Sequence, residues 1–325
     1  MSLLQRLRGA PAQRRLQPRA GDADISVVMP LYQHARYVAA ALDSVLAQTA
    51  APREIVVIDD GSTDDGARVA EQALRGVSPT HVLRQANRGA AATINEAVRV
   101  AQSDWIAVLN SDDLFLPDKL AQCQHLIAQP NAAALIAGAI TPIDAKGRTS
   151  QSGVAADWLH RARDFATRAA HPPLALLNEN FVATTSNMVF TRALWQQLGG
   201  FASLRYCHDL DFLLRAFAQA PVVIAGDTPQ VLYRVHAANT IAEDVRGVRV
   251  ELAAVIAEAV HTLGPRLLPL EEDDGFAVFS EFLRNKTLSD LVLYFTTLRG
   301  RFGDAHAFYG HVTAEPQRSR FMAAC

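Results

Sequence analysis

Four short apolar runs lie between residues 25 and 109, and a helix-compatible stretch separates each run from the next. The runs are Ile25-Ser-Val-Val-Met29, closed by Pro30; Glu54-Ile-Val-Val-Ile-Asp59; His81-Val-Leu-Arg84; and Trp105-Ile-Ala-Val-Leu109. The first reads as a buried strand and the other three as strands. Between them, residues 38–48 place Val38, Leu42, Val45 and Leu46 on one helical stripe, a helix resumes near Ala67, and residues 89–101 are alanine-rich. Strands alternating with helices predict an α/β domain with a mostly parallel central sheet flanked by helices. In such sheets ligands sit beyond the carboxyl ends of the strands. Here those ends carry Tyr32, Asp59 and Asp60, and Asp112 and Asp113.

The second half is less regular. Residues 181–190 read as a strand, Gly199-Gly200-Phe201 as a turn and residues 208–218 as a helix. Residues 221–225 and 231–235 read as two strands flanking a turn at 227–230, and the chain after about Ala242 as helical with a break at 265–269. Three domains are expected: a basic, frayed tail over 1–22, an α/β domain over 23–241 and a helical extension over 242–325. Five arginines occur in the tail before the first acid, Asp22. Its bland reading is a solvated end; its sharper one, with Leu3, Leu4 and Leu7 on one turn, is a weak contact with anionic lipid.

Composition narrows the classes. Thirty-one basic against 33 acidic residues give a net charge of −2, so a broad nucleic-acid face is not expected. Cys123, Cys207 and Cys325 are too far apart for a disulfide framework or a Cys-x-x-Cys knuckle, which points to a reducing cytosol. The longest uncharged stretch, residues 120–143, is interrupted by Gln122, Gln124, His125, Gln129, Pro130 and Asn131. It does not read as a membrane span. Nor does the start of the chain read as a signal peptide.

Taken singly, each polar cluster has a plain explanation. Asn110-Ser111-Asp112-Asp113 reads as a solvated turn capping the helix near Pro117, or as a site for a hard divalent cation. Asp59-Asp60-Gly61-Ser62 fails as a calcium loop because Ser62 and Asp65 stand where Asp or Asn and Gly are needed. No Walker loop is present, and no Gly-x-Gly-x-x-Gly follows the first strand. Asp209 reads as a helix N-terminal acid or as a general base. His236 reads as a structural histidine or as a metal or phosphate contact.

Their joint order changes the reading. The chain from about Ile25 to His236 resembles the family 2 nucleotide-sugar glycosyltransferases of the GT-A fold. The resemblance runs through Val27-Val-Met-Pro-Leu-Tyr32, Leu42-Asp-Ser-Val-Leu-Ala-Gln-Thr49, Ile55-Val-Val-Ile-Asp-Asp-Gly-Ser-Thr-Asp64 and Asn87-Arg-Gly89. It continues through Leu109-Asn-Ser-Asp-Asp113 with Pro117, Gly199-Gly-Phe201, Asp209-x-Asp211 and Tyr233-Arg-x-His236. It implies that Pro30 and Tyr32 border the nucleotide base, that Asp60 hydrogen-bonds the base and that Asp59 supports that loop. Asn110-Ser111-Asp112 occupies the Asp-x-Asp element. Asp112 and His236 are implied ligands of Mn²⁺ or Mg²⁺ on the diphosphate, and Asp113 assists through ribose, water or a supporting contact. Asp209 is the implied catalytic base. Three residues depart from the family pattern: Asn110 for the first acid of Asp-x-Asp, His208 for the glutamate of Glu-Asp, and Ile94 for an arginine, whose nucleotide contact is either missing or supplied by Arg88.

The resemblance implies an inverting transfer of a sugar from a nucleoside-diphosphate donor, with uridine diphosphate the expected carrier, to a hydroxyl of a saccharide, lipid-linked or other acceptor. A cytoplasmic location follows, with a peripheral membrane contact or a homo-oligomer as further expectations. The competing readings are a degenerate nucleotide-sugar-binding scaffold and a sugar nucleotidyltransferase. The last would carry a glycine-rich basic loop after the first strand, where residues 30–37 contain no glycine and only Arg36. The helical extension is expected to place acceptor or mediate association rather than take part in chemistry, and its apolar runs at 252–256 and 291–295 are expected to be buried against the α/β domain.

Overall fold

The structure, a computed structural model, describes residues 14–130, 133–149, 153–169, 171–236, 243–267 and 274–324. The chain opens with β1 (Arg14–Arg15), then β2 (Ile25–Leu31), α1 (Val38–Leu46), β3 (Glu54–Asp59) and α2 (Gly66–Ala73). It continues through β4 (Val77–Ser78), β5 (Thr80–Arg84), α3 (Ala90–Val100), β6 (Trp105–Val108), β7 (Leu114–Phe115) and α4 (Lys119–Ile127). Next come β8 (Leu135–Ile143), α5 (Val154–Ala169), α6 (Pro172–Asn178), β9 (Met188–Thr191), α7 (Arg192–Gln197), α8 (His208–Gln219) and β10 (Val222–Arg234). Five helices end the described chain: α9 (Val245–Leu263), α10 (Asp274–Lys286), α11 (Ser289–Arg299), α12 (Ala305–Thr313) and α13 (Gln317–Ala324).

An eight-stranded sheet runs in the order β5-β3-β2-β6-β9-β8-β10-β7. β5, β3, β2 and β6 are mutually parallel; β9 lies antiparallel between β6 and β8, and β10 is parallel to β8. All of β3 and all but one residue of β2 are buried, as expected for strands covered on both faces. One apolar core lies on each face of the sheet.

Several expectations need correction. Pro30 does not close its strand: it pairs opposite Ile58, and β2 runs on to Leu31. Residues 14–22 are not a frayed tail, because Arg14 and Arg15 pair in parallel with Val77 and Ser78 and Leu16 is buried. Leu3, Leu4 and Leu7 lie outside the described residues. Residues 181–190 are not one strand. Ala183 has a positive φ of 69°, Thr185–Asn187 is a 3-10 turn, and only Met188 onward joins the sheet. Threonine, serine and asparagine side chains compete with the ladder for backbone partners, and here they win. Instead of two strands, residues 222–234 form one, β10, whose register against β8 shifts around Pro229 rather than breaking at a turn. β8, α5 and α6 have no counterpart in the sequence reading.

The C-terminal helices do not stand apart. Ala253, Ala254, Val255, Ile256 and Ala257 of α9 are buried in the same core as Val28, Ile94 and Ile106 of the sheet layer. Their polar contacts to α8 are specific. The Tyr309 hydroxyl donates to Asp211 Oδ1 at 2.7 Å, and Asp211 is itself paired with Arg215 at 2.6 Å inside the core. Glu251 accepts from the backbone N–H groups of Arg205, Tyr206 and Cys207 at 2.8, 2.7 and 3.0 Å, just before α8 begins. A chain ending at residue 244 would expose that apolar core, remove the Tyr309 hydroxyl from Asp211 and leave the three N–H groups without their Glu251 acceptor. It should therefore aggregate on expression. A soluble, cooperatively melting product would show that the helices are separable.

Candidate active site

The carboxyl ends of three adjacent strands supply one cluster. The loop after β2 carries Tyr32, Gln33 and His34; β3 ends on Asp59 and the loop after it carries Asp60 to Asp64; that after β6 carries Asn110 to Asp113. The first two loops are clipped together. Ser62 Oγ accepts from Gln33 N at 3.0 Å, and Asp64 Oδ2 accepts from Ala35 N at 2.8 Å. Gly61 has φ of +75°, and a Cβ there would meet Asn87 N at 2.9 Å, so both backbone angle and space require glycine.

Asp60 is buried. Its Oδ1 accepts from Gln85 Nε2 at 2.7 Å and Arg88 N at 2.9 Å, and its Oδ2 from Gly89 N at 2.8 Å. Asp60 thus shapes the loop that leads into α3. Asp59 Oδ1 accepts from Ser62 N at 3.3 Å. Pro30 is half-buried in β2, whereas Tyr32 is 47% exposed and leaves its ring available to a ligand. Arg88 has an exposed side chain beside the same loop. Ile94 is fully buried in the core, so its position on α3 faces away from the cleft.

Asp113 turns inward. Its Oδ2 accepts from Ser186 Oγ at 2.6 Å and Thr184 Oγ1 at 3.0 Å, and its Oδ1 accepts from Arg234 N at 2.8 Å. Burial and the charge of Asp112 push its carboxyl pKa up, and these donors pull it back. Both Asp113 oxygens are thus engaged by the Ser186–Thr184 turn and by β10. Asn110 joins the same network, donating to Thr184 Oγ1 at 3.0 Å and accepting from Thr185 Oγ1 at 2.9 Å. Arg234 also donates from Nε to the Asp112 carbonyl at 2.7 Å and stacks its guanidinium on Tyr37.

Two residues beyond Arg234, His236 Nε2 lies 3.1 Å from Asp112 Oδ2. His34 Nε2 lies 3.9 Å from the same oxygen, and the ring of Tyr37 stacks on His236 at 5.3 Å. His34, Asp112 and His236 offer donor atoms within 4.8 Å of one another, a carboxylate and imidazole set suited to a divalent cation. Burial lowers the pKa of His34, which favours the neutral imidazole that a metal requires. His34, Tyr37, Thr184, Ser186 and Arg234 were not assigned roles from sequence. A histidine within two residues of Tyr32 was the one visible signal.

Asp209 sits at the start of α8, half-buried. Its Oδ1 accepts from Leu210 N at 2.7 Å and its Oδ2 from Asn180 Nδ2 at 3.1 Å. Burial raises its pKa, opposed by His208 and by these donors. Asn180 opens the segment whose Thr184 and Ser186 bind Asp113, so residues 180–187 connect Asp209 to the strand ends. The Tyr233 hydroxyl feels the charges of Asp113, Asp112 and Asp209 together, which raise its pKa further beyond the effect of burial.

Residues 26–196, just over half of the chain, match the family model described as glycosyl transferase family 2. The chain belongs to that family. This family 2 chain is 42% identical over 104 residues to the succinoglycan biosynthesis protein ExoU of Rhizobium meliloti, covering 32% of this chain and 30% of the relative. It is 26% identical over 198 residues to an Escherichia coli chondroitin synthase, covering 61% and 27%. It thus spans less than a third of either curated relative. Among solved structures, S. aureus TarS 1–349 in complex with UDP-GlcNAc is similar with a TM-score of 0.56 at 19% identity, over 81% of this chain and 72% of that one. The mannosyltransferase PcManGT of Pyrobaculum calidifontis, in complex with GDP-Man and Mn²⁺, gives 0.54 at 17% identity over 95% and 88%. The shared architecture is the GT-A fold. No helix among the described residues is long and apolar enough to cross a membrane.

Replacing Asp113 by alanine would strand two hydroxyls and the Arg234 N–H at the centre of this network. Each buried polar group left without a partner costs about 1–3 kcal/mol. Urea unfolding of Asp113→Ala should lose at least ~2 kcal/mol, and an unchanged midpoint would show that the network is not what holds the loop.

Proposed function

We propose that this family 2 chain is an inverting glycosyltransferase that moves a sugar from a nucleoside-diphosphate donor to an acceptor hydroxyl. One observation supports the reading: residues 180–187 bond both Asp113 and Asp209, which ties the proposed donor end of the sheet to the proposed proton acceptor. Tyr32, Pro30 and Arg88 border the base and Asp60 approaches it with the lone pair left on Oδ2. Uridine is the favoured base because an acceptor oxygen complements its imide N–H. Asn110 retains polar atoms but adds no charge, and Asp59 and Asp113 act on loops.

Asp112 and His236 would hold Mn²⁺ or Mg²⁺, which when bound neutralises negative charge gathering on the leaving diphosphate. Asp209 takes the proton of the acceptor hydroxyl as that oxygen attacks the anomeric carbon. The hydroxyl oxygen forms the new bond, the bond to the diphosphate breaks, and the departing oxygen keeps the electron pair. One displacement inverts the anomeric configuration. The acceptor is a saccharide or a lipid-linked sugar, as suits a chain similar to a succinoglycan biosynthesis protein and a chondroitin synthase. A peripheral membrane contact and self-association are compatible with the reading and are not required by it. That Asp112, His236 and Asp209 are all present supports the catalytic reading over the scaffold alternative.

A positioned base contributes about 10²- to 10⁴-fold in rate. Asp209→Asn should lower kcat by roughly 10² or more while donor affinity stays near wild type. Because burial raises the Asp209 pKa, the acid limb of kcat should lie above the range of an ordinary aspartate, with activity lost as pH falls through it. Loss of donor binding in the folded variant would place Asp209 in the donor site instead, and unchanged kcat would exclude it as the base.

A further inference from the structure

The loop after β2 brings His34 against the strand end that carries Asp112. Its two ring nitrogens have different surroundings. Nδ1 lies 2.9 Å from Ser111 Oγ, and Nε2 faces Asp112 Oδ2 at 3.9 Å. With Nδ1–H donating to Ser111, the Nε2 lone pair points toward the Asp112 carboxylate. Metal-bound histidines are oriented in this way, the second nitrogen tied to a fixed acceptor that sets the tautomer. The ring is held further by edge contacts with Tyr37 at 5.8 Å and His236 at 5.9 Å. Ligand bonds of about 2.1 Å separate donor atoms by roughly 3 Å when adjacent and 4.2 Å when opposite. The spread of at most 4.8 Å among the three donors closes with a small side-chain movement.

We propose that His34 is a third protein ligand of the divalent cation, oriented by Ser111, and that it biases the site toward Mn²⁺ and Co²⁺ over Mg²⁺. The proposal rests on the reading that Asp112 and His236 hold that cation. Two imidazoles and one carboxylate make a borderline-soft donor set, which suits transition metals, whereas Mg²⁺ prefers oxygen and sheds water reluctantly. A single imidazole would leave the choice to carboxylate and diphosphate oxygens. Ser111 then has a task of its own, because losing the partner that orients a metal-bound histidine costs about 10- to 100-fold in affinity.

The test uses the full-length protein and Mn²⁺ alone, followed by water-proton relaxation and by electron spin-echo modulation from coordinated ¹⁴N. Wild type should bind Mn²⁺ more tightly than Mg²⁺ and show two imidazole nitrogens. His34→Ala and His34→Asn, each checked by its melting temperature, should lose about tenfold or more in Mn²⁺ affinity and show one nitrogen. Their Mg²⁺ affinity should move far less, and Ser111→Ala should weaken Mn²⁺ while keeping both nitrogens. One nitrogen in wild type, or wild-type Mn²⁺ affinity in either folded His34 variant, overturns the proposal. Asp112→Asn separates the two readings. If it loses Mn²⁺ while the His34 variants keep it, His34 is excluded and the cation site stands; if wild type itself binds none, both fall.

Discussion

The hydrogen bonds converging on the Asp113 carboxylate decide where the rest of the site lies. One buried side chain joins three distant stretches: its own strand end, the Thr184–Ser186 turn, and the last residue of β10. Arg234 is fixed a second time through its Nε on the Asp112 carbonyl. With Arg234 pinned, His236 is delivered beside Asp112, although 124 positions separate the two in sequence. A carboxylate has room for about four acceptor bonds, and three are used here. Asp113 is thus spent on architecture, while Asp112 Oδ2 lies beside His236 and His34.

The C-terminal helices extend the same logic to the proposed base. Glu251 gathers three consecutive N–H groups ahead of α8, and Tyr309 completes the shell around Asp211 and Arg215. A buried pair of this kind fixes an arrangement more than it adds stability. Asp211, fully engaged there, is not free to serve as a base, which leaves Asp209 as the acid at that helix start with partial exposure. Helices expected from sequence to serve only acceptor or association therefore also set the helix on which Asp209 stands.

Strands β2, β3 and β6 were legible because each is a compact apolar run containing Val and Ile, and burial on both faces demands such runs. The acids at their ends were legible as a set through their order along the chain. β8 was hidden because Ala, Gly and Thr dilute its apolar run, and because it follows α4 without a charged boundary. Residues 181–190 misled for a different reason. Their β-branched residues favour a strand, but Thr184, Ser186 and Asn187 spend their polar atoms on Asp113 and on the backbone of Gly138. Nothing in a lone His34 or Tyr37 reveals that a loop will fold back onto a histidine two hundred residues away. Ile94 shows the limit of carrying a family pattern across by position, since its side chain belongs to the core.

The central claim is a single displacement at the anomeric carbon, with Asp209 accepting the proton and no protein nucleophile intervening. The most direct test is the anomeric configuration of the first-formed product. A donor identified by release of its nucleoside diphosphate would be turned over with an acceptor, and the new linkage read by proton NMR before equilibration. An α-linked donor should give a β-linked product. Retention of the donor's configuration would require a second displacement or a front-face path and would contradict the account.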